Sequence, residues 1–313
     1  MLSCAKLEHS SLTILIPTHG RPTLLGQTLE SISDCRVPKD YEELIVIENG
    51  SRAGAEQIVE RLPERLKARY MHRTRGNKSY ALNEALDTVP DGLVVFFDDD
   101  VKVHPDTLVA YADAAREYGR GHFFGGPVRV DRKKDMPDWI EEFFPSSTKG
   151  YDLINGRLEN AYLGFNWAAF VSDLNQAGGF DPRLGPGVES GASVGDETEL
   201  QKKLRANGCV TVDVMRAKVQ HHVPAESVTL RWLLDRCFRG GIRSGLCSDS
   251  PWFRFWPWVI WRTLVSTAAA GKAAVFVDKK KLGRELTSTF RRAGIVKGHL
   301  WKQWNNGERS PTP

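Results

Sequence analysis

Short apolar runs alternate along most of the chain with stretches whose apolar residues recur every three or four positions. Leu12-Thr13-Ile14-Leu15-Ile16, Leu44-Ile45-Val46-Ile47 and Leu93-Val94-Val95-Phe96-Phe97 have the length and residue types of buried strands, and Arg69-Tyr70-Met71-His72 predicts a shorter one. Helical spacing runs through residues 23–32, 55–66, 79–86, 107–118 and 196–206, with Pro22 suited to a first turn. Residues 123–130 predict a kinked strand and residues 210–214 a further strand. Residues 131–160 are irregular, with aromatic side chains that suit a pocket-shaping loop, and Gly185-Pro186-Gly187 marks another loop. Strands alternating with helices predict βαβ units and a mostly parallel sheet buried on both faces.

The loops after these strands carry the candidate chemistry. Asp98-Asp99-Asp100 follows the fourth strand, and open α/β sheets bind ligands at the carboxyl ends of their strands. Three carboxylates can hold a divalent cation, and their mutual repulsion calls for a cation or for hydrogen-bond donors. A solvated acidic turn or a helix cap would account for the tripeptide taken alone. The basic loop 73–78, which contains Gly76 and opens a helix, suits an anion, because the free N–H groups of a helix start favour negative charge.

At 313 residues, with 41% hydrophobic and 26% charged positions, the chain is long enough for a large core and has no disordered bias. Its net charge of +4 conceals an asymmetry: residues 231–313 hold 16 Lys and Arg against 5 Asp and Glu, whereas residues 1–230 hold 27 against 34. Seven of the nine tryptophans (Trp232, Trp252, Trp256, Trp258, Trp261, Trp301 and Trp304) also lie in the basic part. That pairing is favoured at membrane interfaces. Arg254, Pro257, Arg262 and Lys272 argue against a spanning helix. A helix lying in the interface fits better, with Lys279, Lys280, Lys281, Arg284, Arg291 and Arg292 each adding on the order of 1 kcal/mol of attraction to an anionic surface. A helical hairpin whose tryptophans pack on the rest of the chain is the alternative, and nucleic acid is the weaker partner for the same charges. Five widely spaced cysteines, Cys4, Cys35, Cys209, Cys237 and Cys247, without a CxxC pair, predict reduced thiols. Met1-Leu2-Ser3-Cys4-Ala5 does not begin a secretory signal, which predicts a cytoplasmic protein on the inner face of the membrane.

Taken in order, several motifs between residues 10 and 245 resemble the family 2 glycosyltransferases, inverting enzymes of the GT-A fold. The resemblance implies an α/β, Rossmann-like, mostly parallel sheet flanked by helices in residues 1–245, with residues 246–313 as a helical, basic and Trp-rich extension. Pro17 and Thr18 with Arg21 resemble the opening strand and loop that wrap the nucleotide base. Val46-Ile47-Glu48-Asn49-Gly50-Ser51 resembles "VVDNGS", with Glu48 in place of the Asp that contacts base or ribose. Gly76-Asn77-Lys78 with Ala81 and Asn83 is similar to the "GkaxAxN" stretch near the nucleotide. Phe97-Asp98-Asp99-Asp100-Val101 matches the "DxD" signature, which implies that Asp98 meets ribose or donor sugar and that Asp100 holds Mn²⁺ or Mg²⁺ on the diphosphate, with Asp99 between them.

On the acceptor side, Leu163-Gly164-Phe165-Asn166-Trp167-Ala168 resembles "GxNmA" and Gly178-Gly179-Phe180-Asp181 resembles "GGFD", implying that Asn166, Trp167, Gly179 and Phe180 line that part of the pocket. Gly195-Asp196-Glu197-Thr198-Glu199-Leu200 resembles "GEDtDL", which makes Glu197 the first candidate for the base and Asp196 the second. His221 or His222 falls where the fold adds a metal ligand. Arg236-Cys237-Phe238-Arg239-Gly240 resembles the end of the "QxxRW" motif of processive synthases, with Leu233 for Gln and Cys237 for Trp. This implies transfer of a single sugar, with Arg236 or Arg239 on a phosphate. The implied activity is metal-dependent transfer from a nucleotide sugar, by family preference a UDP-sugar, to a lipid-linked or polysaccharide acceptor. A nucleotidyltransferase, disfavoured by the missing Gly-rich opening loop, and a non-catalytic nucleotide- or glycan-binding membrane adaptor are the competing readings.

Overall fold

A computed structural model describes residues 11–152, 161–248, 257, 261–269, 272 and 278–307. The amino-terminal segment with Cys4, and Trp252, Arg254, Trp256 and Trp258, lie outside the described residues. Two compact units divide the chain: residues 1–131, 149–182 and 196–222 form the first, and residues 132–148, 183–195 and 223–313 the second. A boundary at residue 245 would cut through one helix, Leu230–Cys247, all of which belongs to the second unit.

The first unit is built on β1 (Leu12–Thr18), β2 (Tyr41–Asn49), β3 (Ala68–Arg73), β4 (Leu93–Phe96), β5 (Val101–Val103), β6 (His122–Gly125), β7 (Val128–Arg132), β8 (Trp167–Phe170), β9 (Val210–Asp213) and β10 (Val219–Val223). Seven of them make one sheet in the order β3-β2-β1-β4-β8-β6-β9, while β5, β10 and β7 make a small second sheet. In the large sheet only β8 runs antiparallel to its neighbours β4 and β6. Between the strands lie α1 (Pro22–Ser33), α2 (Ala55–Val59), α3 (Lys78–Leu86), α4 (Thr107–Tyr118), α5 (Ser146–Lys149), of which all but Lys149 belongs to the second unit, α6 (Val171–Gln176) and α7 (Asp196–Ala206).

Side chains alternate across a strand, so a strand covered on both faces must be apolar throughout. Leu12, Ile14 and Ile16 of β1 and Leu93 and Val95 of β4 join Leu25, Leu29 and Ile32 of α1 and Tyr111 of α4 in one layer. Leu15, Val94 and Phe96 face the other way, against Leu82 and Ala85 of α3, Leu174 of α6 and Leu200 and Leu204 of α7. Each such side chain stabilises the fold by about 1.5–3 kcal/mol relative to exposure. The expected helix over 55–66 instead stops at Val59, and a 3₁₀ turn, Glu64–Leu66, follows Pro63, whose ring and missing N–H do not continue a helix. The expected kinked strand divides between the two sheets, because a Cβ on Gly126 would overlap the Ala217 carbonyl where the chain turns.

The second unit centres on α8 (Leu230–Cys247) and α9 (Lys279–Gly307). Their backbones meet through glycine: a Cβ on Gly241 or Gly245 would overlap the carbonyl oxygen of Arg291 or Ile295, and one on Gly294 or Gly298 that of Phe238 or Ile242. Small residues four apart on both helices allow this approach. Leu184, Ala192, Ile242 and Leu246 fill the adjoining core. Residues 261–269 are helical, and Arg292 of α9 ties them by donating to the Arg262 carbonyl (2.9 Å) and to Ser266 Oγ (2.5 Å). Among the described residues, no helix is long and apolar enough to cross a membrane. Cys35, Cys209, Cys237 and Cys247 form no disulfide among the described residues.

Candidate active site

The three aspartates follow β4 and precede β5, and each has its own donor. Thr18 Oγ1, at the end of β1, donates to Asp99 Oδ2 at 2.6 Å. Arg21 donates through one nitrogen to Asp99 Oδ1 and through the other to Asp100 Oδ2 at 2.8 Å. Lys78 Nζ donates to Asp98 Oδ1 at 2.8 Å and to Glu197 Oε1 at 2.6 Å. Lys78 opens α3, which Asn77 caps by accepting from the Tyr80 N–H, and Glu197 sits in the first turn of α7. Two helix starts therefore bring a cation and an anion together beside the end of β4.

Apart from the half-exposed Arg21, these groups are largely shielded from water, and burial dominates the titration of the carboxyls. Burial raises the Asp99 carboxyl to about 6 even though Arg21 and Thr18 pull the other way. Asp98 is also raised by burial, with Lys78 countering part of it. Burial alone would lower the Lys78 ammonium, but Asp98 and Glu197 more than reverse that. Asp196 is pushed well up by burial and by the adjacent Glu197 charge. Glu197 moves in the opposite direction: burial would raise it, and Lys78, with a smaller contribution from the neighbouring Asp196, holds it below the usual carboxylate range. The two neighbouring carboxyls are thus shifted in opposite directions, Asp196 up and Glu197 down. Gly164 makes this possible, since a Cβ there would overlap the Glu197 carboxyl group.

The resemblance of the motifs implies a divalent cation, and the residues present fit one. Asp100 Oδ1 is buried without a hydrogen-bond partner, and His221 Nε2 lies 3.6 Å from it. Phe165 stacks on the His221 ring (centroids 4.3 Å apart, planes at 18°) and fixes its orientation. Among the described residues no three His, Cys, Asp or Glu side chains make a closed metal cage. A cation held by one or two protein ligands plus phosphate oxygens needs none. The tandem histidines supply one ring to this position, because neighbours on a strand face opposite ways. His221 approaches Asp100, whereas His222 Nδ1 lies 3.9 Å from Asp131 Oδ2.

Other expected contacts prove to be framework, which corrects their expected roles. Trp167 is fully buried in β8 and stacks on Phe96 at 4.6 Å, with Phe180 packed edge-on against both. Neither side chain is open to an acceptor. Asn166 is also fully buried, accepting from Tyr111 Oη (2.7 Å) and donating to the Ala217 carbonyl (2.9 Å). Asn83 uses its amide on the Phe180 backbone, donating to the carbonyl and accepting from the N–H at 2.9 Å each, and Gly179 packs against that amide. Asn83 therefore clips the 178–181 turn rather than facing a nucleotide. Glu48 accepts from the Ala53 N–H (2.7 Å) and Tyr70 Oη (2.6 Å), so its carboxylate shapes the loop after β2. Asn49 donates to the Thr18 carbonyl at 2.9 Å, and Pro17 is buried within β1.

Gly76 remains in the basic loop, close to Gly50. Arg236 and Arg239 lie on α8 of the second unit, Arg236 over the Trp232 ring and Arg239 between Asp235 Oδ2 (2.7 Å) and Ser193 Oγ (2.8 Å). Two residues were not foreseen. His19 packs over Gly50, whose φ of +91° and lack of Cβ permit the contact, and Gly164 yields its volume to Glu197. Both stood within recognised motifs, where only the packing reveals what they do.

A sequence model described as "Glycosyl transferase family 2" matches residues 13–174. The Succinoglycan biosynthesis protein ExoM of Rhizobium meliloti (strain 1021) is 28% identical over 246 residues, covering 76% of this chain and 75% of that protein. Among solved structures, the mannosyltransferase PcManGT from Pyrobaculum calidifontis, in complex with GDP-Man and Mn²⁺, superimposes with a TM-score of 0.58 at 18% identity over 96% of this chain and 89% of its own. S. aureus TarS 1-349 gives 0.52 at 14% identity (96% and 93%), and GalNAc-T7 with UDP, GalNAc and Mn²⁺ gives 0.52 at 16% (76% and 51%). These structures share the fold, an α/β sheet of the GT-A kind. The matched span runs from β1 into α6 and takes in Arg21, Lys78 and all three aspartates, and on that match the chain belongs to glycosyl transferase family 2.

Proposed function

We propose that this glycosyltransferase moves one sugar, with inversion, from a nucleotide diphosphate sugar to a hydroxyl of a lipid-linked or polysaccharide acceptor. The observation that carries the reading is the Lys78 bridge: one buried ammonium joins Asp98, beside the candidate metal ligand Asp100, to Glu197, the charged member of an acid pair. The donor-side and acceptor-side groups of the reaction therefore meet at a single lysine. Bound by Asp100 and His221, Mn²⁺ or Mg²⁺ would neutralise the diphosphate as it leaves.

Glu197 accepts the proton of the acceptor hydroxyl while that oxygen attacks the anomeric carbon and the bond from this carbon to the diphosphate oxygen breaks, the electron pair leaving with the diphosphate. One base on the face opposite the leaving group suffices, and the result is inversion. Asp196, shifted up by burial and by the adjacent Glu197 charge, stands beside it as the second acid of the pair. Without donor, Lys78 is committed to both carboxylates; an arriving diphosphate competes for the ammonium and releases Glu197 for proton transfer.

Support for a nucleotide-sugar donor and a divalent cation comes from the bound GDP-Man, UDP and Mn²⁺ of the structural neighbours. A polysaccharide acceptor is supported by the name of the succinoglycan relative, and the preference for UDP rests on the sequence motifs. The test is a thermal-shift screen of nucleotide sugars with Mn²⁺, followed by hydrolysis and transfer assays on Asp100→Ala. A nucleotide sugar should raise the melting temperature, because a ligand of the native state stabilises it, and the variant should lose metal-dependent turnover. Full activity in the variant overturns the site. Pyrophosphate release from a nucleoside triphosphate plus sugar phosphate, or binding without turnover, overturns the reaction.

A further inference from the structure

We propose that the second unit docks on an anionic lipid surface through two exposed apolar stripes set among basic side chains. The first stripe runs along α9. Phe290, Ala293, Lys297, Leu300 and Trp304 recur at three- and four-residue intervals and so share one face, on which Phe290, Leu300 and Trp304 are 39%, 50% and 74% exposed. The glycine face of α9 is turned to α8, and Arg292 faces residues 261–269, so this stripe is a third side of the helix. The second stripe lies on residues 261–269, where Trp261, Leu264 and Val265 are 64%, 63% and 39% exposed while Ser266 is 2% exposed and meets Arg292.

Charge selects the occupant. Lys279, Lys280, Lys281, Arg284 and Arg291 are all exposed on α9, and Arg262 is exposed beside Trp261. A second copy of the chain would bring two strongly basic surfaces together, which disfavours self-association through this face. Nucleic acid would satisfy the charges and could stack on Trp261, Phe290 and Trp304, but it gives Leu264, Val265 and Leu300 no apolar phase to enter. An anionic bilayer satisfies both features, with headgroups meeting the lysines and arginines and the interface taking the tryptophans. Among the described residues no helix is long and apolar enough to span, and the stripes are placed to lie on a surface. The leaflet facing the cytoplasm carries the anionic lipids that such a unit would meet.

The experiment is flotation of the full chain with phosphatidylcholine vesicles, with and without phosphatidylglycerol, at low and high salt. Binding is expected to vesicles with phosphatidylglycerol and to fall with salt. Lys279→Glu with Lys280→Glu should weaken it by about tenfold or more, given roughly fivefold per basic residue, and Trp261→Ser with Leu264→Ser should separately weaken it by removing the apolar contact. Lys39→Glu, a charge change on the first unit, should leave binding unchanged. Thermal unfolding of each variant should match the original chain, and the salt dependence of the original chain tests the charge argument without any substitution. Absent binding, equal binding to neutral vesicles, or binding unchanged in both double variants overturns the proposal. So does a dimer that Trp261→Ser with Leu264→Ser dissociates, or bound nucleic acid that the lysine variants release.

Discussion

In the first unit Lys78 lies between Asp98 and Glu197 with only 12% of its side chain exposed, whereas in the second Lys279, Lys280 and Lys281 all stand open to solvent. The interiors differ as sharply. The first unit fills its two layers with Leu, Ile, Val and Phe on both faces of a sheet, while the second brings two helix backbones together through glycine and leaves large apolar side chains outside. A buried charge must be matched by a partner at hydrogen-bond distance, so each one fixes geometry, and losing one partner leaves the other stranded. An exposed charge contributes little by itself and acts through the sum of its neighbours' field. One unit is built to place a few atoms accurately and the other to present a surface.

If the first unit depends on individual atoms, the largest effect should come from Glu197→Gln. It should lower kcat for sugar transfer by about 10²–10⁴-fold, the usual contribution of a general base, with donor binding retained. Initial-rate kinetics with a bound-donor titration check this, and an unimpaired variant would move the base elsewhere. Next comes Lys78→Met, which leaves Asp98 and Glu197 without their cation and should destabilise the chain by about 3–5 kcal/mol. The same change removes what holds Glu197 low, so the acid limb of the pH profile of kcat/KM should move to higher pH. Urea unfolding and the profile together measure both.

Asp99 gives a smaller, pH-dependent effect. Its carboxyl is raised from 3.8 to about 6 in the fold, so between those values the native state binds more protons than the unfolded chain. The associated stability is fully present below the unfolded value and is lost as pH rises through about 6, a change of roughly 2–3 kcal/mol. Asp99→Asn should make the fall in stability between about pH 4 and about pH 7 smaller by this amount, as urea midpoints at the two values would show. In the second unit the expected effects are smaller and opposite in sign at adjacent positions. Gly241→Ala, facing the Arg291 carbonyl, should cost about 1–3 kcal/mol, whereas Gly240→Ala, with open space around it on the same helix, should gain about 0.5–1 kcal/mol. Thermal unfolding of the two variants sharpens the contrast. Equal effects would mean that the glycine crossing is not a tight contact.

What the sequence made legible follows from the range of the interactions. Runs such as Leu93-Val94-Val95-Phe96-Phe97 announce themselves because burial on both faces leaves no room for a polar position, and the aspartates after them inherit their place from the strand. The three-residue strand Val101–Val103 has no such signature, nor has the division of residues 123–130 between two sheets, which the overlap at Gly126 decides. Motif order brought Asp98, Asp100, Glu197 and His221 into one account, but it credited Trp167, Asn166, Asn83 and Glu48 with ligand contacts that their own hydrogen bonds and packing pre-empt. Side-chain direction sets that difference, and a linear motif does not record it. The glycines of α8 and α9 were equally visible as letters, but their pairing emerges only when the two helices are placed side by side.

The contact between Gly164 and Glu197 also bears on how this sequence can drift. The carboxyl group occupies the volume that any side chain at 164 would need, so these positions, 33 residues apart, constitute a single unit of inheritance. A branched or merely methylated residue at 164 becomes tolerable only after the acid at 197 has shortened or turned away. Either way the carboxylate leaves Lys78, so bulk at 164 is accepted only at the expense of that buried pair.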